Sequence, residues 1–355
     1  GISGIGLANS IYRKKQKAER HFGIYALYVM YYPQLVAGPI ERPQNLLHQF
    51  KETHFFEYTR VVSGLRKMLW GFFMKIVIAD NLGVYVDYVY DKPMVFSGLP
   101  LIIATIFFSF QIYCDFAGYS LIAIGISQIM GIKLMTNFNS PYFAKSIPEF
   151  WRRWHISLST WFKDYLYIPL GGNRTSKPRL YFNLMLVFII SGIWHGANWT
   201  FIIWGFLHGF YQIISLLTAN IQSKIKKLIT GKRLILVHNF LRIILTFTLV
   251  SIAWIFFRAS TVENAFYIIK NSFNFGAPTK IPLTAPLGVI RFSLLICSVI
   301  FLIITEYFIN NKYYVNIFNN NSFLRFIIYY ILFYSIILSL IFFNVPEKPF
   351  IYFQF

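Results

Sequence analysis

Three histidines lie among apolar and aromatic residues, where an ionisable side chain is a candidate functional group. His195 is found in SGIWHGANW, His155 in RRWHISLS and His208 in WGFLHG. A histidine inside a membrane segment marks a functional site by default, although it can also simply hydrogen-bond a neighbouring carbonyl. His195 is favoured because Gly192 and Gly196 would allow a backbone or a ligand to approach closely. A neutral imidazole at this position can act as a general base toward a hydroxyl.

The distances along the sequence between the three histidines indicate which of them could act together. His195 and His208 are 13 residues apart, which corresponds to roughly 220° around one unbroken helix. They would face different ways, so we expect His208 to be a packing or interhelical partner. His155 and His195 are 40 residues apart, and only the fold can bring them together.

Two acids occur in similarly apolar surroundings. Asp115, in YCDFAGYS, is the one acid between residues 98 and 132. An ion pair, or a cap at a helix break near Gly118, is a more economical explanation for it than catalysis. Asp164, in KDYLYIPLGGN, has the same ambiguity.

The segment 141–175 is rich in Trp, Tyr, Arg and His. Ser146 followed by Glu149 is a capping-box pattern, with Pro148 tolerated in the first turn, so a helix should start there. Its apolar face, by helical spacing, comprises Trp151, Trp154, His155, Leu158, Ser159 and Phe162. We therefore expect one amphipathic helix that enters or lines a membrane.

This helix should carry Arg152 and Arg153 on the side away from its apolar face, and it should end in a turn at Gly171-Gly172-Asn173. Bidentate guanidinium groups suit phosphate, so the arginine pair is a candidate phosphate-binding site. Anchoring to lipid headgroups is an equally reasonable role for them.

Composition predicts an integral membrane protein built of helices. Of 355 residues, 56% are hydrophobic and 13% charged, against about 25% charged in ordinary soluble domains. The apolar runs approach the roughly 20 residues that a crossing helix needs: 98–113, 181–193, 199–217, 240–257, 286–305 and 324–344. Shorter or interrupted runs near 22–38 and 65–80 suggest re-entrant or tilted segments. We expect eight or nine apolar segments in one domain, with the polar stretches 218–239 and 259–285 as surface connections.

The net charge of +20 fits cytoplasmic loops better than nucleic-acid binding. Lys and Arg cluster at 13–20, 145–179 and 224–233, as the positive-inside rule predicts for cytoplasmic segments. Two apolar runs separate the second cluster from the third, so both clusters fall on one side. Cys114 and Cys297 lie far apart without metal-ligand spacing, so no disulfide or metal site is predicted.

Five strings in the chain resemble the membrane-bound O-acyltransferase (MBOAT) family, in particular its bacterial alginate O-acetylation branch. They are YYPQLVAGPIERPQNLLHQF (31–50), QIYCDFAGYSLIAIG (111–125), PYFAKSIPEFWRRWHISLSTWFKDYLYIPLGGNR (141–174), SGIWHGANWTFIIWGFLHG (191–209) and FIYFQF (350–355). IPLGGNR after WFKDYLY favours this branch over the one that transfers D-alanine to teichoic acid. Two features depart from the family pattern: Leu121 replaces a usual Asp, and helices that precede PQLVAGP in the family are missing. We therefore expect the sequence to start inside a longer protein.

The resemblance implies an all-α bundle with re-entrant segments around a central funnel in the inner membrane. It places the invariant family histidine at His195 and its polar companion at His155. We expect His195 to act as general base or acyl-relay residue, and His155 to hydrogen-bond the thioester carbonyl or to position the donor. The resemblance also implies acetyl-CoA as the donor, and we expect Arg152, Arg153, Trp151 and Trp154 to bind it. The acceptor would be an exported polysaccharide, reached directly or through an extracytoplasmic acyltransferase partner. D-alanyl transfer, a proton-coupled transporter and a non-enzymatic scaffold remain alternatives.

Overall fold

The described part of the protein is entirely helical, as predicted. The computed structural model describes residues 11–12, 17–35, 38–276, 281–310, 321–343 and 350. No β-strand occurs within these ranges. Helices are the expected solution for a chain of this hydropathy, because a helix satisfies its own backbone hydrogen bonds in lipid.

Fourteen α-helices follow one another along the described ranges. They are α1 (Phe22–Met30), α2 (Tyr32–Leu35), α3 (Pro43–Leu46), α4 (Tyr58–Tyr90), α5 (Leu99–Ile129), α6 (Ile147–Arg153), α7 (Ile156–Phe162), α8 (Lys177–His195), α9 (Trp199–Leu217), α10 (Ala219–Leu228), α11 (Lys232–Arg258), α12 (Val262–Asn271), α13 (Gly288–Ile309) and α14 (Ser322–Phe342). Six of them are long and apolar enough to cross a membrane: α4, α5, α9, α11, α13 and α14. Short 3₁₀ turns occur at Gln49–Lys51, Pro93–Val95 and Pro141–Phe143.

Some sequence-based boundaries were wrong. The run 65–80 is neither short nor interrupted, because it lies inside the 33-residue helix α4. The stretch 218–239 is helical rather than a loop, and every residue of α10 is at the surface. The stretch 259–285 contains α12, whose Ala265 and Ile268 are buried. The run 22–38 is indeed interrupted, since α1 and α2 are separated at Tyr31.

Glycines bring α4 and α5 into backbone contact. A Cβ atom on Gly71 would lie 2.6 Å from the carbonyl oxygen of Gly118, and one on Gly125 would lie 2.6 Å from that of Gly64. Small residues at a helix interface allow this close approach between membrane helices. Gly71 therefore serves packing rather than a break in α4.

An ion pair ties the same two helices together inside the bundle. The Lys75 ammonium lies 2.6 Å from an oxygen of Asp115 and 2.8 Å from one of Asp80. Lys75 belongs to a π-helical stretch of α4, Phe73–Ala79. Asp115 is therefore an ion-pair residue, one of the two predicted alternatives. The predicted break near Gly118 is wrong, because α5 continues unbroken to Ile129.

The hairpin of α8 and α9 is also packed through glycines. A Cβ on Gly192 would collide with the carbonyl oxygen of Phe201, and one on Gly205 with that of Phe188. The two helices are joined by the three residues Gly196 to Asn198 and run antiparallel. The start of α8 and the end of α9 thus lie at one end of the hairpin, together with the basic residues that flank them.

This arrangement generates a topology prediction. In a background without Cys114 and Cys297, Ser176→Cys and Lys227→Cys should both react with a membrane-impermeant maleimide only after the cells are lysed. Both positions are exposed, so lysis should give full labelling and prove that the thiols are accessible. The positive-inside rule is the physical reason for the cytoplasmic assignment. Labelling of either position in intact cells with a permeabilised outer membrane would contradict it.

Candidate active site

The amphipathic segment begins as predicted but is not one helix. Ser146 Oγ accepts a hydrogen bond from the Glu149 backbone N–H at 3.3 Å, and Glu149 Oε2 accepts one from the Lys145 N–H at 2.9 Å. The first turn of α6 is thus capped from both directions. The prediction of a single apolar face up to Phe162 is wrong, because the helix ends at Arg153 and a new helix starts at Ile156.

The break is at His155, whose backbone is left-handed (φ 42°, ψ 54°). This conformation is uncommon for residues with a Cβ and costs roughly 1 kcal/mol or more. Strained backbone of this kind concentrates at functional sites, where the surrounding structure enforces it. The turn re-aims the His155 side chain relative to α6.

Asn137 and its neighbour hold this break in place. The Ile156 N–H donates to the Asn137 carbonyl at 2.8 Å, and the Asn139 N–H donates to the Arg153 carbonyl at 2.9 Å. The Asn137 side-chain Oδ1 accepts from the Ser157 N–H at 3.3 Å and from the Ser157 hydroxyl at 2.9 Å. Backbone groups that an unbroken helix would satisfy internally are thus satisfied by a second segment.

Asn137 also fixes the tautomer of His155. Because a backbone N–H donates to Asn137 Oδ1, that atom is the amide oxygen, and His155 Nδ1, 3.1 Å away, must donate to it. The lone pair of the neutral imidazole is therefore on Nε2. Burial lowers the pKa of His155 well below its ordinary value, and nearby His195 lowers it further. The ring, which contacts Phe116 and Phe138, is neutral at physiological pH.

His195 is the last residue of α8, so its ring projects from the end of the glycine-packed hairpin. The ring is partly accessible and contacts the indole of Trp204 (centroids 5.1 Å apart) and the ring of Phe257 (5.2 Å). Gly192 and Gly196, which were predicted to allow the close approach of a backbone or a ligand, both lie against Phe201 of α9. They allow the helices to pack, and in doing so they set the position of the imidazole.

His155 and His195 belong to the same cluster of packed aromatic rings, which we call the aromatic cluster. A chain of ring contacts at 5.0–6.3 Å links them through Phe138, Trp154, Trp254 and Trp204. Trp154, expected to bind the donor, is almost fully buried within this chain. In the structure its indole packs inside the aromatic cluster.

His208 contacts Trp204 and Trp254 of the aromatic cluster and is fully buried. Its Nδ1 accepts a hydrogen bond from Trp151 Nε1 at 3.2 Å, a contact between α9 and α6 that agrees with the expected packing role. The proton of the neutral ring is then on Nε2. Within the described residues, neither His208 Nε2 nor Trp204 Nε1 has a hydrogen-bond acceptor. Buried donors of this kind usually meet an ordered water or a ligand.

Arg152 and Arg153 diverge, although they are adjacent in sequence. Arg153 pairs with Glu149 at 2.8 Å, whereas Arg152 is exposed at a cavity of about 420 Å³ between α6, α7 and α8. Lys163 and Trp151 also line this cavity. We call it the α6–α8 cavity. Its apolar wall follows α8 through Leu184, Val187, Phe188 and Ser191. Ser191 is about one turn before His195 on α8, and neither His195 nor His155 lines the cavity.

Two buried polar groups were not found by sequence reasoning. Asn137 lies in the irregular stretch TNFNS, whose polar character by itself indicates only a loop. Glu306 follows the apolar run 286–305 and is buried in α13, where it accepts a hydrogen bond from the Tyr113 hydroxyl. A lone acid at the end of a spanning run was the available signal. Asp164, which was ambiguous, pairs with Arg42 at 2.9 Å.

Residues 15–257 match the model of MBOAT, the membrane-bound O-acyltransferase family. This is well over half of the chain, and it includes the helix break, the glycine hairpin and both histidines. The chain belongs to the MBOAT family.

Bacterial members of the family are similar over most of the chain. A peptidoglycan O-acetyltransferase of Helicobacter pylori is 45% identical over 252 residues, 70% of this chain and 46% of that protein. A probable alginate O-acetylase of Pseudomonas aeruginosa is 39% identical over 277 residues, 78% of this chain and 50% of that protein. A teichoic acid D-alanyltransferase of Bacillus subtilis is 31% identical over 205 residues, 55% of this chain and 51% of that protein. The chain thus spans about half the length of these relatives.

The left-handed break makes a prediction that is independent of catalysis. His155→Gly should be more stable than His155→Ala, by about 1 kcal/mol, because glycine adopts positive φ without a Cβ penalty. Thermal unfolding of both variants in the same detergent measures the difference. Both lack the imidazole, so each is the control for the other, and an equal or higher melting temperature for His155→Ala would contradict the backbone geometry.

Proposed function

We propose that this protein is an O-acetyltransferase of the bacterial inner membrane. It takes an acetyl group from a cytoplasmic thioester, most simply acetyl-CoA, and passes it to a hydroxyl of an exported cell-surface polysaccharide or to an extracytoplasmic acyltransferase partner. Family membership and the O-acetylating relatives support the reaction class. The observation that carries the proposal is the α6–α8 cavity, which has Arg152 and Lys163 at its rim and includes Ser191, one helical turn before His195.

His195 is the general base. It removes the proton of the attacking hydroxyl as the oxygen bonds to the thioester carbonyl carbon. The carbon–sulfur bond then breaks, and the proton returns from the imidazolium to the leaving thiolate, so that ester and thiol are the products. The apolar rings around His195 favour the neutral imidazole that this cycle needs at its start.

His155 positions the reacting groups. Donation of a hydrogen bond to the thioester carbonyl would need a proton on Nε2, whereas the bond to Asn137 keeps the proton on Nδ1. The Nε2 lone pair suits an acceptor role, toward the substrate hydroxyl or toward an N–H of His195. His208 Nε2 and Trp204 Nε1 are the buried donors that a carbonyl oxygen or an ordered water would satisfy.

In this proposal the donor enters from the cytoplasm through the α6–α8 cavity. Arg152 and Lys163 at its rim suit the phosphates of CoA, and the apolar wall along α8 suits the thioester arm. Trp151 borders the same cavity and is held by His208. Arg153, engaged by Glu149, stabilises α6 in this proposal rather than binding phosphate.

The role of His195 is tested by substitution. His195→Ala should lower acetyl-ester formation in cells by about 10²–10⁴-fold, the range typical of a lost general base, with normal membrane insertion. His208→Ala should lower it less, because it removes one buried donor and the contact to Trp151 but leaves the general base in place. Mass spectrometry of cell-wall and exopolysaccharide esters gives the readout and also separates acetyl from D-alanyl transfer. Retention of most ester formation in His195→Ala would contradict the assignment.

The donor route is tested by binding. The purified protein should bind CoA with an affinity that falls as salt concentration rises, because the phosphate contacts are charge-assisted and screened. Arg152→Gln should weaken binding several-fold, about the effect of losing one charged hydrogen-bonding group. Arg153→Gln removes the same charge outside the cavity and is the matched control. Equal affinities for the two variants would contradict the cavity assignment, and proton-coupled substrate uptake without CoA binding would favour a transporter.

A further inference from the structure

A second cavity of about 420 Å³ lies at the basic end of the α8–α9 hairpin. It is bounded by the last two turns of α9, by α10 and by the first half of α11. Lys145, from the turn before α6, and His238 and Arg242, from α11, line it together with Ser215 and Gln222. We call it the α9–α11 cavity. None of its lining residues is acidic.

The two cations of this cavity lack a counterion in the protein. Neither Lys145 nor Arg242 forms an ion pair within the described residues, and both side chains are partly buried. The acid near Lys145 in sequence is Glu149, which accepts the Lys145 backbone N–H and pairs with Arg153. Partly desolvated cations without a partner are unfavourable unless an anion binds to them.

The rest of the cavity is apolar and opens sideways. Phe210 and Ile214 of α9 and Leu245 of α11 line it, and they are 44%, 40% and 60% exposed. Both helices are long and apolar enough to cross the membrane. Their exposed flanks therefore face hydrocarbon, whereas the cations lie at the end that carries the basic cluster 224–233. A free phosphate would be satisfied by the cations alone and would leave these walls without a partner.

We propose that the α9–α11 cavity binds an anionic glycerophospholipid of the cytoplasmic leaflet. Lys145 and Arg242 hold its phosphate, and Phe210, Ile214 and Leu245 pack against an acyl chain. Basic pockets between membrane helices on the cytoplasmic side have the chemistry that recognises such headgroups. The proposal does not depend on acyl transfer, because the cavity is separate from the one that contains Arg152 and Lys163.

Native mass spectrometry of the detergent-solubilised protein tests this, with dioleoylphosphatidylglycerol and dioleoylphosphatidylcholine as probes. We expect one phosphatidylglycerol to bind at concentrations where phosphatidylcholine does not. Lys145→Gln with Arg242→Gln should weaken phosphatidylglycerol binding about tenfold or more, since each basic residue contributes on the order of 1 kcal/mol. Lys226→Gln with Lys227→Gln removes the same charge from the exposed face of α10 and should leave binding nearly unchanged.

A steric variant covers the case in which the charge variant fails to fold. Leu245→Trp fills the mouth of the cavity from an exposed position and should weaken phosphatidylglycerol binding to a similar extent. Equal binding of the two lipids, unchanged affinity in both cavity variants, or displacement of phosphatidylglycerol by equimolar CoA or inorganic phosphate would overturn the proposal. The measurement contains no acceptor and no acyl donor, so its failure leaves the acetyltransferase proposal standing.

Discussion

The amide of Asn137 is the contact on which the candidate site depends. A helix break inside a membrane bundle exposes backbone groups that lipid cannot satisfy, so another part of the protein must satisfy them. The segment around Asn137 does this for Ile156 and Ser157, and the same amide oxygen orients the imidazole of His155. Its Nδ2 donates to Ser120 Oγ on α5 at 3.1 Å, which ties the break to the most buried of the membrane-length helices. The Asn137 side chain thus supports the helix break, the left-handed backbone of His155 and the tautomer of its imidazole.

The position of His195 depends on a different constraint, the glycines that lack a side chain in the α8–α9 hairpin. Gly192 and Gly205 let α8 and α9 approach until backbone meets backbone, and this packing delivers His195 at the end of α8. Trp204, one residue before Gly205, then lies against His195 on one side and Trp254 on the other. His195 is thus carried by rigid, close-packed helices, whereas His155 is held by an amide in a strained turn. Neither position requires a flexible loop.

Sequence reasoning succeeded where local signals decide the structure. Hydropathy predicted an all-helical membrane protein, although α8, from the run 181–193, is not among the six described helices that are long and apolar enough to cross a membrane. Ser146 and Glu149 predicted the start of α6. For Asp115 the sequence left an ion pair and a helix cap open, and the structure has the ion pair. Sequence reasoning failed where a distant segment decides, since helical periodicity from Trp151 to Phe162 contains no sign that Asn137 would break the helix at His155. Arg152 and Arg153 also differ for a reason that lies in the three-dimensional structure: Arg153 pairs with Glu149, whereas Arg152 lines a cavity. Polar composition at 218–239 indicated exposure correctly, but exposure does not exclude a helix.

The two cavities are connected through a short series of side chains. Trp151 borders the α6–α8 cavity and donates to His208 Nδ1. The ring of His208 contacts Tyr211 with centroids 6.1 Å apart, and Tyr211 lines the α9–α11 cavity. Since His208 is fully buried between these residues, a shift of Tyr211 cannot be absorbed by solvent and must be taken up by packed rings. The hydrogen bond to Trp151 therefore places the α6–α8 cavity two side-chain contacts away from the α9–α11 cavity.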